Sequence, residues 1–460
     1  MIIGSSSFTL LVFFCVLVAF NAVQGNRTLR LLLLCGFNLG FLLSHGWESA
    51  VVVGFIGLAP YALLRFRPGM SRVATSLLAP LAIGLFVYFK LRIEPAKAGV
   101  ESFDALFRTS LPLGYSFVMY LSLSLLFDWR RHSDLKTPGF LEYCATAFFA
   151  PAIPAGPFVK FREIGKSDFA APSTTGFLSG LILVFWGLSK KSFADFVGMS
   201  YLAGDAFLAS QSPLESWTLA VLVPVRFYCD FSGSTDLAIG MGRTFGIHLP
   251  SNFNLPFLAR SVTDYWRRWH ISLGEWYREY FYTPLIFKAW PRLQSYGVNP
   301  VVFNAGAIFL TMMLIALWHG LRVHFLIWAA YVTFTLAISP VLERIGRRPR
   351  FGAILAAGMT FYLMMWGQII LIHASLMKVI SKWVAMHAGI FAGAGILKFE
   401  GREFLLPFTL IMLIVPHLVD RAFLKLDDFG WARMSACLTI TMMVYFLLGR
   451  MSLPFIYSRF

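Results

Sequence analysis

Charge is what this chain has least of. Charged residues are 13% of its 460, hydrophobic residues 58%, and mean hydropathy is +0.69. Such a chain cannot cover itself with a polar surface, which excludes a soluble protein and leaves a polytopic membrane protein. It has five cysteines, Cys15, Cys35, Cys144, Cys229 and Cys437. The number is odd and none form a Cys-x-x-Cys pair, so a disulfide framework or thiolate metal site is not expected. No His-Glu-x-x-His or other ligand spacing occurs, so no metal is expected. The apolar runs are continuous and not alternating, which argues against a β-barrel. No basic stretch precedes Phe8–Val23, so that run reads as a retained span and not a removable leader. Gly240-Met-Gly242-Arg-Thr-Phe-Gly246 has the wrong spacing for a dinucleotide loop. Low-complexity tracts, a soluble domain and clean internal repeats are also missing.

What is present is apolar runs joined by short charged segments. They predict an all-α fold of about eleven or twelve transmembrane helices, each near the ~20 residues that cross hydrocarbon. The clearest early runs are Phe8–Val23, Leu29–Leu43, Ala50–Leu64, Val73–Phe89 and Leu111–Phe127. The net charge of +16 fits cytoplasmic joints better than nucleic-acid binding. Arg27/Arg30, Arg65/Arg67/Arg72, Arg130/Arg131/Lys136 and Arg344/Arg347/Arg348/Arg350 are the basic clusters. The joint at Lys90–Arg108 is mixed, with Glu94, Glu101 and Asp104. Alternation of the first five spans then puts the N-terminus outside the cytoplasm. The sequon Asn26-Arg27-Thr28 falls in a joint assigned to the inside and is discounted.

A single membrane-embedded domain over 1–460 is expected, in three zones. Residues 1–137 and 293–460 are ordinary spans. Residues 138–292 mix Pro and Gly breaks with apolar stretches too short to span. Irregular backbone at membrane depth is tolerated where it lines a cavity, so this zone is the expected wall of a central cavity, with re-entrant and interfacial helices. A cytoplasmic skirt of helices is the blander reading. Pro151-Ala-Ile-Pro154-Ala-Gly156-Pro157 reads as a turn or re-entrant break. Asp230 and Asp236, beside an apolar run, are costly unless paired.

On a helical projection of 264–280, Trp266, Trp269, His270, Leu273, Trp276, Tyr277 and Tyr280 share one face. Asp264, Arg267, Arg268, Glu275, Arg278 and Glu279 share the other. This predicts an amphipathic interfacial helix whose arginines suit phosphates or lipid headgroups. Taken alone, His270 reads more readily as a hydrogen-bonded structural histidine than as a catalytic one. His319 differs. Residues 293–321 and 323–342 carry no charged side chain, and an ionisable residue in such a run is a functional candidate by default. Histidine accepts a proton near neutral pH, which suits a general base in a low-dielectric cavity. Gly320 after it allows close backbone approach or a helix break.

These motifs resemble a known family. Tyr228-Cys-Asp230-Phe-Ser-Gly233-Ser-Thr-Asp236, Asn252-Phe-Asn254-Leu-Pro256, Trp266-Arg-Arg-Trp269-His270 and Trp318-His319-Gly320 are similar, in order and spacing, to membrane-bound O-acyltransferases. Leu113-Gly114-Tyr-Ser-Phe117 and Ala155-Gly156-Pro157 match earlier signatures. The resemblance implies a ring of helices around a central cavity and acyl transfer to hydroxyls. It implies His319 as the catalytic residue and His270 as a supporting one. Within the family the chain is similar to the bacterial branch that acylates extracytoplasmic polymers. Its terminus Pro454-Phe-Ile-Tyr457-Ser-Arg-Phe460 resembles that of members acting on alginate. Tyr282-Thr-Pro-Leu285 lacks the Gly-Gly-Asn-Arg that usually follows in that branch, which leaves D-alanyl transfer to teichoic acid open. The expected co-substrate is an acyl thioester such as acetyl-CoA, with no permanently bound cofactor. Its phosphates would meet Arg267 and Arg268, and its acyl group Trp266, Trp269 and Trp318. His270 or Asn254 would position the reacting groups. The expected acceptor is a polysaccharide or an acyl-accepting extracytoplasmic partner protein, at the plasma membrane. A transporter of the acyl donor, without chemistry of its own, is the alternative from another class.

Overall fold

The computed structural model describes residues 6–23, 25–97, 112–132, 135–169, 172–202, 206–210, 212–320, 322–347, 351–373, 375–391, 405–423 and 426–448. Most of the mixed joint expected at 90–108 and the motif at 454–460 lie outside these residues. The chain is helical because its apolar runs leave backbone groups no water to bond, and a helix satisfies them within the segment. No strand occurs among the described residues. Two compact units result, one drawn from Met1–Trp186, Ser234–Ser251 and Gly430–Thr441, the other from Gly187–Gly233, Asn252–Phe429 and Met442–Phe460.

The first unit holds α1 (Ser6–Ala22), α2 (Arg27–Ser44), α3 (Trp47–Phe66), α4 (Ser71–Lys97), α5 (Tyr115–Arg131) and α6 (Phe140–Ala147). The Asn26 side chain caps α2 by accepting from the Leu29 amide at 3.0 Å. Asn38 of α2 is buried and fully used: it donates to Ala145 O at 3.1 Å and accepts from the Ala150 amide at 3.0 Å. The expected break at 151–157 is a run of turns after α6. Gly156 is required there, because a Cβ would sit 2.4 Å from the Ala152 Cα.

The remaining helices are α7 (Thr174–Ser200), α8 (Ala206–Ala209), α9 (Pro213–Thr244), α10 (Val262–Arg268), α11 (Ile271–Tyr277), α12 (Thr283–Ser295), α13 (Pro300–His319), α14 (Val323–Gly346), α15 (Phe351–Ile372), α16 (Leu376–Phe391), α17 (Leu405–Phe423) and α18 (Trp431–Leu448). Seven helices among the described residues are long and apolar enough to cross a membrane: α2, α3, α4, α7, α13, α14 and α15. The expectation that 138–292 holds only stretches too short to span is corrected. α7 has 27 residues and α9 has 32. The polar cluster after Phe227 does not break α9, because Asp230 is buried against Lys191 at 2.9 Å. A paired carboxylate is tolerated where a lone one would not be. Lys190 meets Asp420 of α17 at 3.1 Å, and Tyr228 donates its hydroxyl to the same carboxylate. α7 and α9 meet glycine to glycine. A Cβ on Gly240 would lie 2.5 Å from Gly180 O, and one on Gly233 2.7 Å from Gly187 O.

Candidate active site

The single helix expected over 264–280 is broken in two. Ser261 caps α10 by accepting from the Asp264 amide at 3.1 Å. Trp269 then turns extended, and His270 adopts φ 47°, ψ 52°, in the left-handed region. No glycine lies in Trp266–His270 to invite this, and a left-handed non-glycine residue costs about 1–3 kcal/mol. The loop at 252–254 imposes it. Phe253 forms an isolated antiparallel bridge with Trp269, the Asn254 amide donates to Arg268 O at 2.9 Å, and the Ile271 amide donates to Asn252 O at 3.0 Å. These long-range bonds replace helical ones, which is why periodicity alone predicts continuity. The assignment of faces survives the break. Trp269, His270, Leu273, Trp276, Tyr277 and Tyr280 are buried, while Arg267 and Arg278 are exposed. Trp266 is half-buried. α11 continues into a π-helical turn, Arg278–Tyr282, before α12.

His319 is the last residue of α13 and is 5% exposed. Gly320 ends the helix in an extended conformation, and a Cβ there would lie 2.3 Å from the Phe325 ring. Both expectations for this glycine hold. Phe325 stacks on the His319 ring, with centroids 6.2 Å apart and planes at 20°.

α9, α10, α11, α13, α14 and α15 enclose one cavity of about 80 Å³, and both histidines line it. Its aromatic wall is interlocked. Trp269 is sandwiched between Phe227 at 5.8 Å and Tyr265 at 5.6 Å. Trp328 packs against both Trp266 and His319, each at 5.9 Å. Trp318 does not line the cavity; it lies behind, 6.3 Å from His270 and 4.6 Å from His319 between ring centroids. Burial lowers the pKa of His270, which sits between two helices too short to span, to about 3. His270 is therefore neutral at physiological pH. Among the described residues, no charged side chain lines the cavity.

The other expected site residues lie elsewhere. Asn254 is exposed and is not in the lining; only its backbone joins the site. Arg267 is exposed and Arg268 is held by Asp264 at 2.8 Å. Asp230 is buried in its ion pair with Lys191, and Asp236 is half-buried further along α9. Two residues were missed. Asn252, 1% exposed, meets the His270 Nδ1 at 3.0 Å. Gln368 of α15 lines the cavity, donating its Nε2 to the Tyr265 hydroxyl at 2.8 Å while its Oε1 is buried without a partner among the described residues. Gln368 had a readable signal, since it is the one amide in the charge-free stretch of α15. Asn252 had a weaker one, standing two residues before Asn254 in the same motif.

The family model for membrane-bound O-acyltransferases matches residues 69–376. The chain belongs to this family. A probable alginate O-acetylase of Pseudomonas syringae pv. tomato is 29% identical over 385 residues, covering 80% of this chain and 71% of the relative. A peptidoglycan O-acetyltransferase of Helicobacter pylori is 28% identical over 278 residues, 52% of this chain and 50% of that one. A teichoic acid D-alanyltransferase of Bacillus subtilis is 24% identical over 266 residues, 55% and 67% respectively. This O-acyltransferase is accordingly a multi-pass membrane enzyme that transfers acyl groups to hydroxyls. The matched residues include the whole helix-break segment, both histidines and every residue of the cavity lining.

Proposed function

We propose that this enzyme moves an acetyl group from a thioester such as acetyl-CoA towards hydroxyls of an extracytoplasmic polysaccharide, directly or through an acyl-accepting partner protein. The observation that carries this reading is one small, charge-free cavity lined by two buried histidines. A water centre needs about 10–15 Å³, so 80 Å³ holds several waters and accommodates an acetyl unit. A D-alanyl group brings an ammonium, whose burial costs several kcal/mol without a counter-charge. Among the described residues the lining offers no carboxylate, which favours acetyl over D-alanyl.

In the reaction His319 takes the proton of the acceptor hydroxyl as its oxygen attacks the thioester carbonyl. The C–S bond breaks and the proton passes on from the imidazolium to the departing thiolate. His270, kept neutral, orients the acceptor by hydrogen bonding. Trp266 and Trp269 wall the acyl group, with Trp318 behind them, and exclude water, which strengthens each polar contact inside. Arg267 is free to meet donor phosphates, while Arg268 is engaged with Asp264. Asn254, Asp230 and Asp236 support the site through backbone and helix packing.

All 460 residues work in this reading as one membrane-embedded domain at the plasma membrane. The basic joints face the cytoplasm and the N-terminus faces outward. The test is reconstitution in vesicles with a radiolabelled acetyl thioester inside and polysaccharide, with the partner's acceptor domain, outside. Label on polymer or partner hydroxyls is expected. Uptake or release of intact thioester without acylation would favour the transporter.

A further inference from the structure

We propose that Asn252 is a positioning residue for the transfer reaction: its side-chain oxygen locks the His270 imidazole with the proton on Nδ1, leaving Nε2 as the hydrogen-bond acceptor of the site. This rests on the reading of the cavity as the place of acyl transfer.

Three groups converge on the Asn252 Oδ1. They are the His270 Nδ1 at 3.0 Å, the Ser272 hydroxyl at 2.9 Å and the Ser272 backbone N–H at 3.3 Å. A backbone N–H only donates, so the amide atom facing it is the oxygen. An oxygen with no proton of its own must then receive one from Nδ1, which fixes the tautomer. The opposite amide orientation would turn an NH₂ towards the Ser272 N–H, donor against donor.

The backbone enforces the same arrangement. The Ile271 amide on Asn252 O and the left-handed turn at His270 bring the ring to the asparagine. Phe231 meets the ring edge-on at 4.7 Å and restricts its rotation. The asparagine Nδ2 is buried with no hydrogen-bond partner among the described residues. That arrangement is unfavourable for packing alone and is explained by the demand on the oxygen.

The titratable groups around His270 are few. His319 of α13 and Tyr265 of α10 line the same cavity. Arg268 is paired with Asp264, and Asp230 of α9 with Lys191. α14 and α15 contribute Trp328 and Gln368, which carry no charge. An Asn252→Asp change therefore places a carboxylate in direct contact with the ring. It keeps the shape and the acceptor, stabilises the imidazolium, and raises the pKa of His270. Activity that needs neutral His270 is then lost as pH falls through the raised value.

The experiment measures single-turnover acetyl transfer between pH 5 and 8 for wild type, Asn252→Asp and Asn252→Ala. It is paired with ¹⁵N shifts of the histidine rings, with His270 assigned by its loss in His270→Gln. Wild type should give a protonated Nδ1 and an unprotonated Nε2 at His270. Asn252→Asp should acquire an additional acidic limb, above the one that protonation of His319 gives both proteins, with near wild-type rate at pH 8. Asn252→Ala should lose about tenfold or more in rate with little change in donor KM and no new limb. Superposable pH profiles for wild type and Asn252→Asp would overturn the proposal, as would a protonated Nε2 in wild type. Wild-type transfer by His270→Gln would instead show that the cavity reading itself has failed, and the proposal with it.

Discussion

A methyl group at position 320 should be among the most damaging small changes in this protein. The Gly320→Ala Cβ would meet the Phe325 ring at 2.3, 2.9 and 3.2 Å. Carbon atoms rest about 3.5–4.0 Å apart, so the nearest pair overlaps by more than an ångström. Phe325 is 2% exposed and has nowhere empty to go. Overpacking of this kind costs about 1–3 kcal/mol. The ring that must yield is stacked on His319, so the strain is delivered to the imidazole proposed as the base. A displacement of ~1 Å in a reacting group is worth about 10²-fold in rate. We therefore expect a fall of roughly that size in single-turnover acyl transfer, with only a modest loss of thermal stability in detergent. Shrinking the obstructing ring should relieve it, so Gly320→Ala/Phe325→Leu should recover about tenfold of the loss. Wild-type turnover by Gly320→Ala would refute the reasoning. So would a double variant no better than the single one.

Three further outcomes are expected. Met312→Ala or Met364→Ala, which enlarge the cavity wall, should shift the propionyl-to-acetyl preference by about tenfold towards propionyl; unchanged competition between the two thioesters would show that the acyl group sits elsewhere. Breaking the buried pair with Lys190→Met should destabilise by about 3–5 kcal/mol, whereas Lys190→Met/Asp420→Leu should be close to neutral; equal losses of thermal stability for both would contradict the pairing. Arg267→Ala should weaken binding of a CoA-type donor and flatten its salt dependence in detergent without anionic lipid. Unchanged affinity and slope would leave that arginine to the lipid headgroups.

Much of this was legible in the sequence, for identifiable reasons. Burial follows periodicity, so the aromatic face of 264–280 and the exposed arginines were readable before any coordinates. His319 was readable because residues 293–321 carry no charged side chain and Arg322 alone interrupts the uncharged run up to 342. The break at Trp269–His270 was not, since it is made by amide bonds to residues 252–254, and local propensity carries no record of a distant partner. The same cause hid Asn252, whose oxygen matters only once the turn brings His270 to it. Asn254, the more prominent member of that motif, is exposed and outside the cavity lining. That Asp230 must be paired was readable from its apolar surroundings; that Lys191 of α7 is the partner was not.

The central claim is that His319 is the base in a cavity it shares with His270. It is tested most directly by single-turnover transfer of a labelled acetyl group in purified His319→Ala and His270→Ala proteins, each shown to be folded and to bind donor. The account predicts that His319→Ala abolishes transfer with donor binding intact and that His270→Ala slows transfer by less. Near wild-type transfer by His319→Ala, or the reverse order of the two variants, would contradict it.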